Sequence, residues 1–368
     1  MRKPVTDAAI LVLNFGEPES PVLEEVIPFL ERIFLANASL EPHETEEQRA
    51  SRSRQLAERR APGLLEEYEE IGGSPLNAQA NAQAEALRVE LATRGHPIPV
   101  YSAFQFTPPF VEEAVEQALA DGVQHLIGLP IYPLCGHSTN VAALDRVQEA
   151  IERAGSTDVG CEGITGWHRH PQYLEMRAQA IRAVADSAGL DLNAERTRLV
   201  FSAHGTPVKY LEGGSRYRDY VLEYCTEVAR ILGVERYELG YQNHSNRGVE
   251  WTQPDVEKVI EGVDADVVVV DPMSFMHEQS ETLAELDHEL REEAEERGLE
   301  FHRVPVPHED DRFPLILADL VEPLLTGQES PMGLRYGQCR CRPRSGTFCL
   351  NSLPREEAAP PPERLRGG

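Results

Sequence analysis

The chain has 368 residues, 41% of them hydrophobic, which is enough for two domains that each bury a core. Its formal charge of -27 argues against a nucleic-acid partner, because phosphate contacts need clustered cations. No run of eighteen apolar residues occurs, and Met1 to Asp7 lead into a strand rather than a secretory signal, so the expected compartment is the cytoplasm.

Short apolar runs alternate with longer helical patterns, the mark of parallel sheets wrapped by helices. In the first half, strands are predicted near 8–14, 99–103 and 123–131, with helices near 22–34, 62–71, 77–93 and 109–120. The first of these helices carries Val22, Val26, Ile27, Phe29, Leu30, Ile33 and Phe34, a spacing that suits either a core stripe or a lip touching the membrane surface. In the second half, strands are predicted near 160–164, 198–203, 237–241 and 266–270, with helices near 171–187, 218–232, 254–261 and 280–297. A last helix is expected near 311–325.

The two series share length and order, so the expected fold is α/β. It comprises two Rossmann-like halves, 1–150 and 151–326, with a ligand cleft between them. Residues 327–368 read as a tail rich in Pro, Arg and Cys, whose stretch from Ala358 to Arg364 is expected to be disordered.

Two segments carry chemistry. In Phe201-Ser202-Ala203-His204-Gly205, a buried strand runs into a histidine, at the sheet end where open α/β folds place their ligands. In the second segment, the valine strand before Asp271 is followed by Glu278, Glu281, Glu285 and Glu289. These four fall within an arc of roughly 80° on one helix face. Most of that stripe reads as solvated surface. Its first turn lies at the same sheet end as His204, so His204 and Glu281 are the candidate pair for divalent-metal binding or proton removal, with Glu278 and Glu285 as accessories. His168 and His170, beside Trp167, read as surface or capping residues.

The tail places Cys339, Cys341 and Cys349 within eleven residues and beside arginines that favour thiolates, which suits an iron–sulfur cluster or zinc. Cys225, in a helical run, reads as a core thiol.

In combination the chain resembles the ferrochelatases, the class II chelatases that insert ferrous iron into a porphyrin in haem synthesis. The resemblance spans nearly 8–325. It rests on Leu13-Asn14-Phe15-Gly16-Glu17-Pro18-Glu19, on Arg59-Arg60-Ala61-Pro62 with Tyr68 to Pro75, on Phe201 to His204, on Tyr241-Gln242-Asn243 with Trp251, and on Glu281 to Asp287. It implies a four-stranded parallel sheet in each half, with porphyrin between the halves. It also implies catalytic and metal-binding roles for His204 and Glu281, and contacts to the macrocycle and its propionates from Phe15, Arg59, Arg60, Tyr68, Ser74 and Trp251. Some members carry a [2Fe-2S] cluster on three tail cysteines and one from the body. By that likeness the fourth ligand is Cys135, with Cys161 the alternative. A porphyrin-delivering enzyme or a membrane surface is the implied partner.

Departures bear on specificity. Gln279 stands where many members have histidine, and Gln105-Phe106 replaces an Arg-Tyr pair. Gly136-His137 is similar to the cobalt and nickel chelatases, which makes His137 a candidate extra ligand. The alternatives are therefore a cobalt or nickel chelatase acting on another tetrapyrrole, and a non-enzymatic haem or iron–sulfur sensor on the same fold. The porphyrin itself is read as protoporphyrin IX or coproporphyrin III.

Overall fold

The computed structural model describes residues 6–42, 45–156, 158–244 and 248–352. The chain forms two compact units, Met1–Trp167 with His308–Leu353, and His168–Pro307. The division thus falls later than the expected boundary at 150/151. The last helix, Arg312–Thr326, belongs to the first unit rather than the second.

In the first unit, β1 (Ala8–Asn14) is buried at every position, as a central strand covered on both faces must be. It pairs in parallel with β2 (Val100–Phe104) and β3 (His125–Pro130), and β3 pairs with β4 (Gly160–Gly166). Residues 160–164, expected in the second half, therefore belong to the first sheet.

Helix α1 (Leu23–Ala36) packs on α2 (Glu46–Ile71), and α3 (Leu76–Thr93) and α4 (Val111–Ala120) follow. The expected helix at 62–71 is the end of a 26-residue one. Thr45 and Gln48 form a capping box, and Leu56, Ala57, Ala61, Leu64 and Tyr68 bury one stripe. That stripe carries the helix through Pro62 despite the missing N–H. Helix α5 (Ala142–Arg153) occupies a stretch for which no element was predicted, and it buries Ala143, Leu144, Val147, Ala150 and Ile151.

The described part of the tail, residues 327–352, joins the first sheet, which its composition did not predict. Strand β9, formed by Gly337–Gln338, runs antiparallel to β10 (Thr347–Cys349), and β10 pairs in parallel with β4, extending the expected four strands to six in the order β2-β1-β3-β4-β10-β9. Arg342 is the knot: Nε bonds Asp145 at 2.9 Å, Nη1 bonds Thr347 and Nη2 bonds the Leu144 carbonyl at 3.3 Å. The stretch from Ala358 to Arg364 lies outside the described residues.

The second unit has β5 (Thr197–His204), β6 (Tyr237–Gln242), β7 (Val267–Pro272) and β8 (Glu300–Arg303), all parallel, in the order β6-β5-β7-β8. Edge strand β8 has one buried residue, Phe301, too few to announce it in the sequence. Helices α6 (Pro171–Ser187), α7 (Val208–Glu212), α8 (Tyr217–Leu232) and α9 (Val256–Gly262) connect these strands. After β7 come a short turn α10 (Ser280–Leu283), a π-helical segment Glu285–Leu290 and α11 (Arg291–Glu296). Helix α12 (Arg312–Thr326) then packs on α3. Among the described residues no helix is long and apolar enough to cross a membrane.

His168 and His170 are fully buried rather than on the surface. Glu223 bonds His168 Nε2 at 2.8 Å and Arg169 Nε at 3.0 Å, which gives the buried imidazole a counter-charge. Cys225 is buried, as its helical setting suggested.

Candidate active site and cysteine site

At the carboxyl end of the second sheet, three side chains converge. His204 ends β5 and lies opposite Gln242, the last residue of β6, so His244, two residues further on, comes alongside it. Glu281 arrives from α10, beyond the end of β7. His244 Nε2 is 3.3 Å from His204 Nε2 and 3.0 Å from Glu281 Oε1, and His204 Nε2 is 3.1 Å from the same oxygen. The side chains are 36%, 27% and 17% exposed for His204, His244 and Glu281, so the group is open on one side.

The surroundings fix these atoms. His204 Nδ1 lies 2.6 Å from the Gly205 carbonyl, a contact that requires N–H there and leaves Nε2 to face His244 and Glu281. The His204 N–H donates to Ser274 Oγ at 3.0 Å, and the Tyr217 hydroxyl donates to the His204 carbonyl at 3.0 Å. Gly205 must be glycine, because a Cβ there would meet Asn243 Oδ1 at 1.8 Å. Asn243 in turn donates to the Thr252 carbonyl and to Asp255, each at 2.6 Å.

Gln279, the departure noted in the sequence, donates its amide to Glu281 Oε2 and so turns Oε1 toward the histidines. Burial pushes the Glu281 carboxyl up, but His204 and His244 outweigh it and hold the group well below the usual carboxylate range.

Sequence reading brought His204 and Glu281 together but stopped one residue short of His244. A histidine just past the strand adjacent to that of His204 was the available signal. Glu278 is engaged elsewhere: Oε1 pairs with Arg303 at 3.1 Å and Oε2 accepts from Thr282 at 2.6 Å. Glu285 accepts from Gln242 Nε2 at 3.0 Å. Trp251 stands edge-on to the His244 ring at 5.8 Å.

In the first unit, Phe15 follows β1, partly exposed, with its ring 4.5 Å from Phe106 and 6.3 Å from Phe29. Tyr68 is fully buried in the same aromatic cluster, so its ring supports that surface from beneath. Ser74 donates to buried Glu17, Arg60 pairs with Glu67, Arg59 is exposed, and His137 is exposed on a π-helical turn, His137–Val141.

The second cluster is sulfur. Cys135, Cys339 and Cys341 place their Sγ atoms within 4.8 Å of one another, and Cys349 lies beside Cys339. Gly166 makes the room, since a Cβ there would sit 3.0 Å from Cys349 Sγ and 3.2 Å from Cys135 Cβ. Neighbouring thiols of Cys135, Cys341 and Cys349 stabilise a thiolate on Cys339, and the same contacts push Cys135 up. The Arg342 N–H also approaches Cys339 Sγ at 3.3 Å. Cys161 is outside this group.

The α/β fold thus carries two side-chain groups of the types that can bind metal. The ferrochelatase family profile matches residues 7–324. The ferrochelatase of Synechococcus elongatus is 36% identical over 86% of this chain and 82% of its own, and that of Nostoc punctiforme 33% over 85% and 81%. Among solved structures, SirB from Bacillus subtilis with Fe3+ is similar over 89% of this chain and 99% of its own, at 12% identity and a TM-score of 0.49. The chain belongs to the ferrochelatase family: it is a lyase that inserts iron into a porphyrin for haem synthesis. Its sequence relatives favour this over a cobalt or nickel chelatase and over a non-enzymatic sensor.

Proposed function

We propose that iron enters the porphyrin at His204, His244 and Glu281. The observation that carries this is the approach of two Nε2 atoms and one carboxylate oxygen to 3.0–3.3 Å of one another. Lone pairs that close require a cation among them, and a proton or a divalent ion equally meets the need.

Insertion uses both. Two pyrrole N–H bonds break, four nitrogen–iron bonds form, iron stays ferrous and two protons leave. His204, with Nδ1 committed to Gly205, offers Nε2 as base or ligand. Glu281, kept ionised, balances the charge of arriving metal and of a protonated imidazole. His244 supplies a second nitrogen, so one histidine can accept a proton while the other holds the ion. Glu285, one turn on, leads toward exposed Glu289, an acidic line suited to guiding cations. On the porphyrin side, Phe15 and Trp251 suit the macrocycle faces, and Arg59 and Arg60 suit propionates, with Tyr68 and Ser74 as supports. His137 and Glu285 remain accessory positions, while Glu278 is held by Arg303 and Thr282. The substrate is protoporphyrin IX or coproporphyrin III.

The test is anaerobic metallation of each porphyrin with Fe2+, Co2+ or Ni2+, with wild type and Glu281→Gln. Iron insertion by the wild type, reduced at least about 100-fold in Glu281→Gln, is the expected result. Preference for cobalt or nickel, or an unaffected variant, would overturn the reading.

We also infer that Cys135, Cys339, Cys341 and Cys349 hold a [2Fe-2S] cluster, supported by the four-thiol donor set, the stabilised thiolate on Cys339 and the cradle left by Gly166. Such a cluster supplies a one-electron centre and a cross-link between the loop after β3 and the tail. Protein purified without air should absorb visible light and carry about two irons and two sulfides per chain; a colourless or zinc-bearing preparation would refute this. Peripheral membrane contact is supported by the exposure of Val22, Leu23 and Leu35 at the two ends of α1. Co-sedimentation with anionic vesicles that is lost in Leu23→Glu would test it; unchanged sedimentation would argue against it.

A further inference from the structure

Phe15 is seated by its backbone. Its carbonyl accepts from the N–H groups of Gln105 at 3.1 Å and Phe106 at 3.0 Å, and its own N–H donates to the Tyr132 hydroxyl at 3.1 Å. The last of these is the only side chain in the set, and it comes from the loop that carries Cys135.

That loop is pinned to the tail. Asn140 Nδ2 donates to the Tyr132 carbonyl at 2.8 Å and also to the Thr165 carbonyl, while Asn140 Oδ1 accepts from the Gly136 N–H at 3.2 Å. Thr165 Oγ1 donates to the carbonyl of Phe348, the residue before Cys349, at 3.1 Å. The Pro133 carbonyl accepts from the Trp167 N–H at 2.8 Å and from Asn351 Nδ2 at 3.4 Å. A continuous chain of hydrogen bonds thus runs from β10 through Thr165, Asn140 and Tyr132 to Phe15.

We propose that Tyr132 is a positioning residue, through which the docked cysteine tail sets the pose of Phe15 and hence the affinity for the porphyrin. This rests on the reading above that Phe15 faces the macrocycle. Tyr132 is not among the side chains that meet at His204, His244 and Glu281, so its loss acts on binding rather than on metal transfer. When the tail is loosened, the Asn140 contacts that fix the Tyr132 backbone slacken, and the Phe15 N–H loses its acceptor. Coupling of this kind moves along discrete contacts and is exposed by double-mutant cycles.

The experiment uses the full chain purified without air, wild type and Tyr132→Phe, Cys341→Ser, their double variant and Thr165→Val. Tyr132→Phe removes one hydroxyl and keeps the ring; Thr165→Val cuts the chain at the tail end and leaves the cysteines in place. Porphyrin affinity is read without iron by quenching of tryptophan fluorescence, and KM and kcat by iron insertion. Tyr132→Phe and Thr165→Val should each weaken porphyrin binding and raise KM roughly fivefold with kcat within about twofold, as loss of one net hydrogen bond allows. The double variant should be no weaker than the weaker of its two singles. Unchanged affinity in Tyr132→Phe, or additive losses in the double variant, would overturn the proposal while wild-type insertion stands. A wild type that neither binds nor metallates porphyrin would instead overturn the reading on which it rests.

Discussion

His204, His244 and Glu281 keep 36%, 27% and 17% of their side-chain surfaces open, whereas Cys135, Cys339 and Cys349 are 0%, 1% and 0% exposed and Cys341 alone of the four thiols is half-buried. One group is assembled from nitrogen and oxygen at the end of β5 and on the segments that follow β6 and β7, and the other from sulfur on the loop after β3, on β10 and on the segment between β9 and β10. The contrast matches what each would do. An ion that must arrive and leave needs an open side, while a resident group needs a closed one. Hard and borderline donors release ferrous iron more readily than thiolates do.

The sharpest way to break this comparison is to remove a ligand from each site and compare rate with stability. His244→Ala should lower kcat for iron insertion by about 100-fold or more, with little change in thermal midpoint. Cys339→Ser should lose visible absorption and bound iron, and its midpoint should fall by about 5 °C or more, since it breaks the link between the tail and the loop after β3. Equal losses of stability in both would erase the distinction between open and closed sites.

A smaller effect is expected from Gly205→Ala. The new methyl would meet Asn243 and the Gln242 carbonyl, so the carbonyl that fixes His204 must move, and insertion should drop about 10-fold. A rate equal to wild type would mean that the His204 tautomer does not depend on that contact.

The smallest concerns Glu223, away from both sites. Burial raises its carboxyl, but His168 and Arg169 outweigh it and bring it down to about 2 from 4.5. A depressed folded value means that the stabilisation is complete above about pH 4.5 and disappears as pH falls toward 2. Glu223→Gln should therefore cost about 1–3 kcal/mol at pH 7, a difference that shrinks through that window in thermal melts. A pH-independent difference would show that the pair acts by packing alone.

Much of this was legible in the residues. Continuous apolar strands such as Ala8–Asn14 and the Val267–Val270 run announce a parallel sheet buried on both faces; His204 ends the similarly buried β5, and Glu281 follows β7 on α10. His244 was not legible, because its closeness to His204 depends on β6 lying beside β5, a matter of strand order rather than of pattern. The strands of the tail were not legible in its Pro-, Arg- and Cys-rich composition. Its order comes from backbone pairing with β4 and from buried Arg342, neither of which has a periodic signature. Likewise His168 looked like a surface residue until Glu223, fifty-five positions away, supplied its partner.

The role of His204 in metal insertion is read out by anaerobic iron insertion with His204→Ala, followed through the porphyrin absorption band alongside a thermal melt. A loss of at least about 100-fold in kcat with the melting midpoint preserved is expected. Insertion within threefold of wild type by a folded His204→Ala enzyme would contradict it.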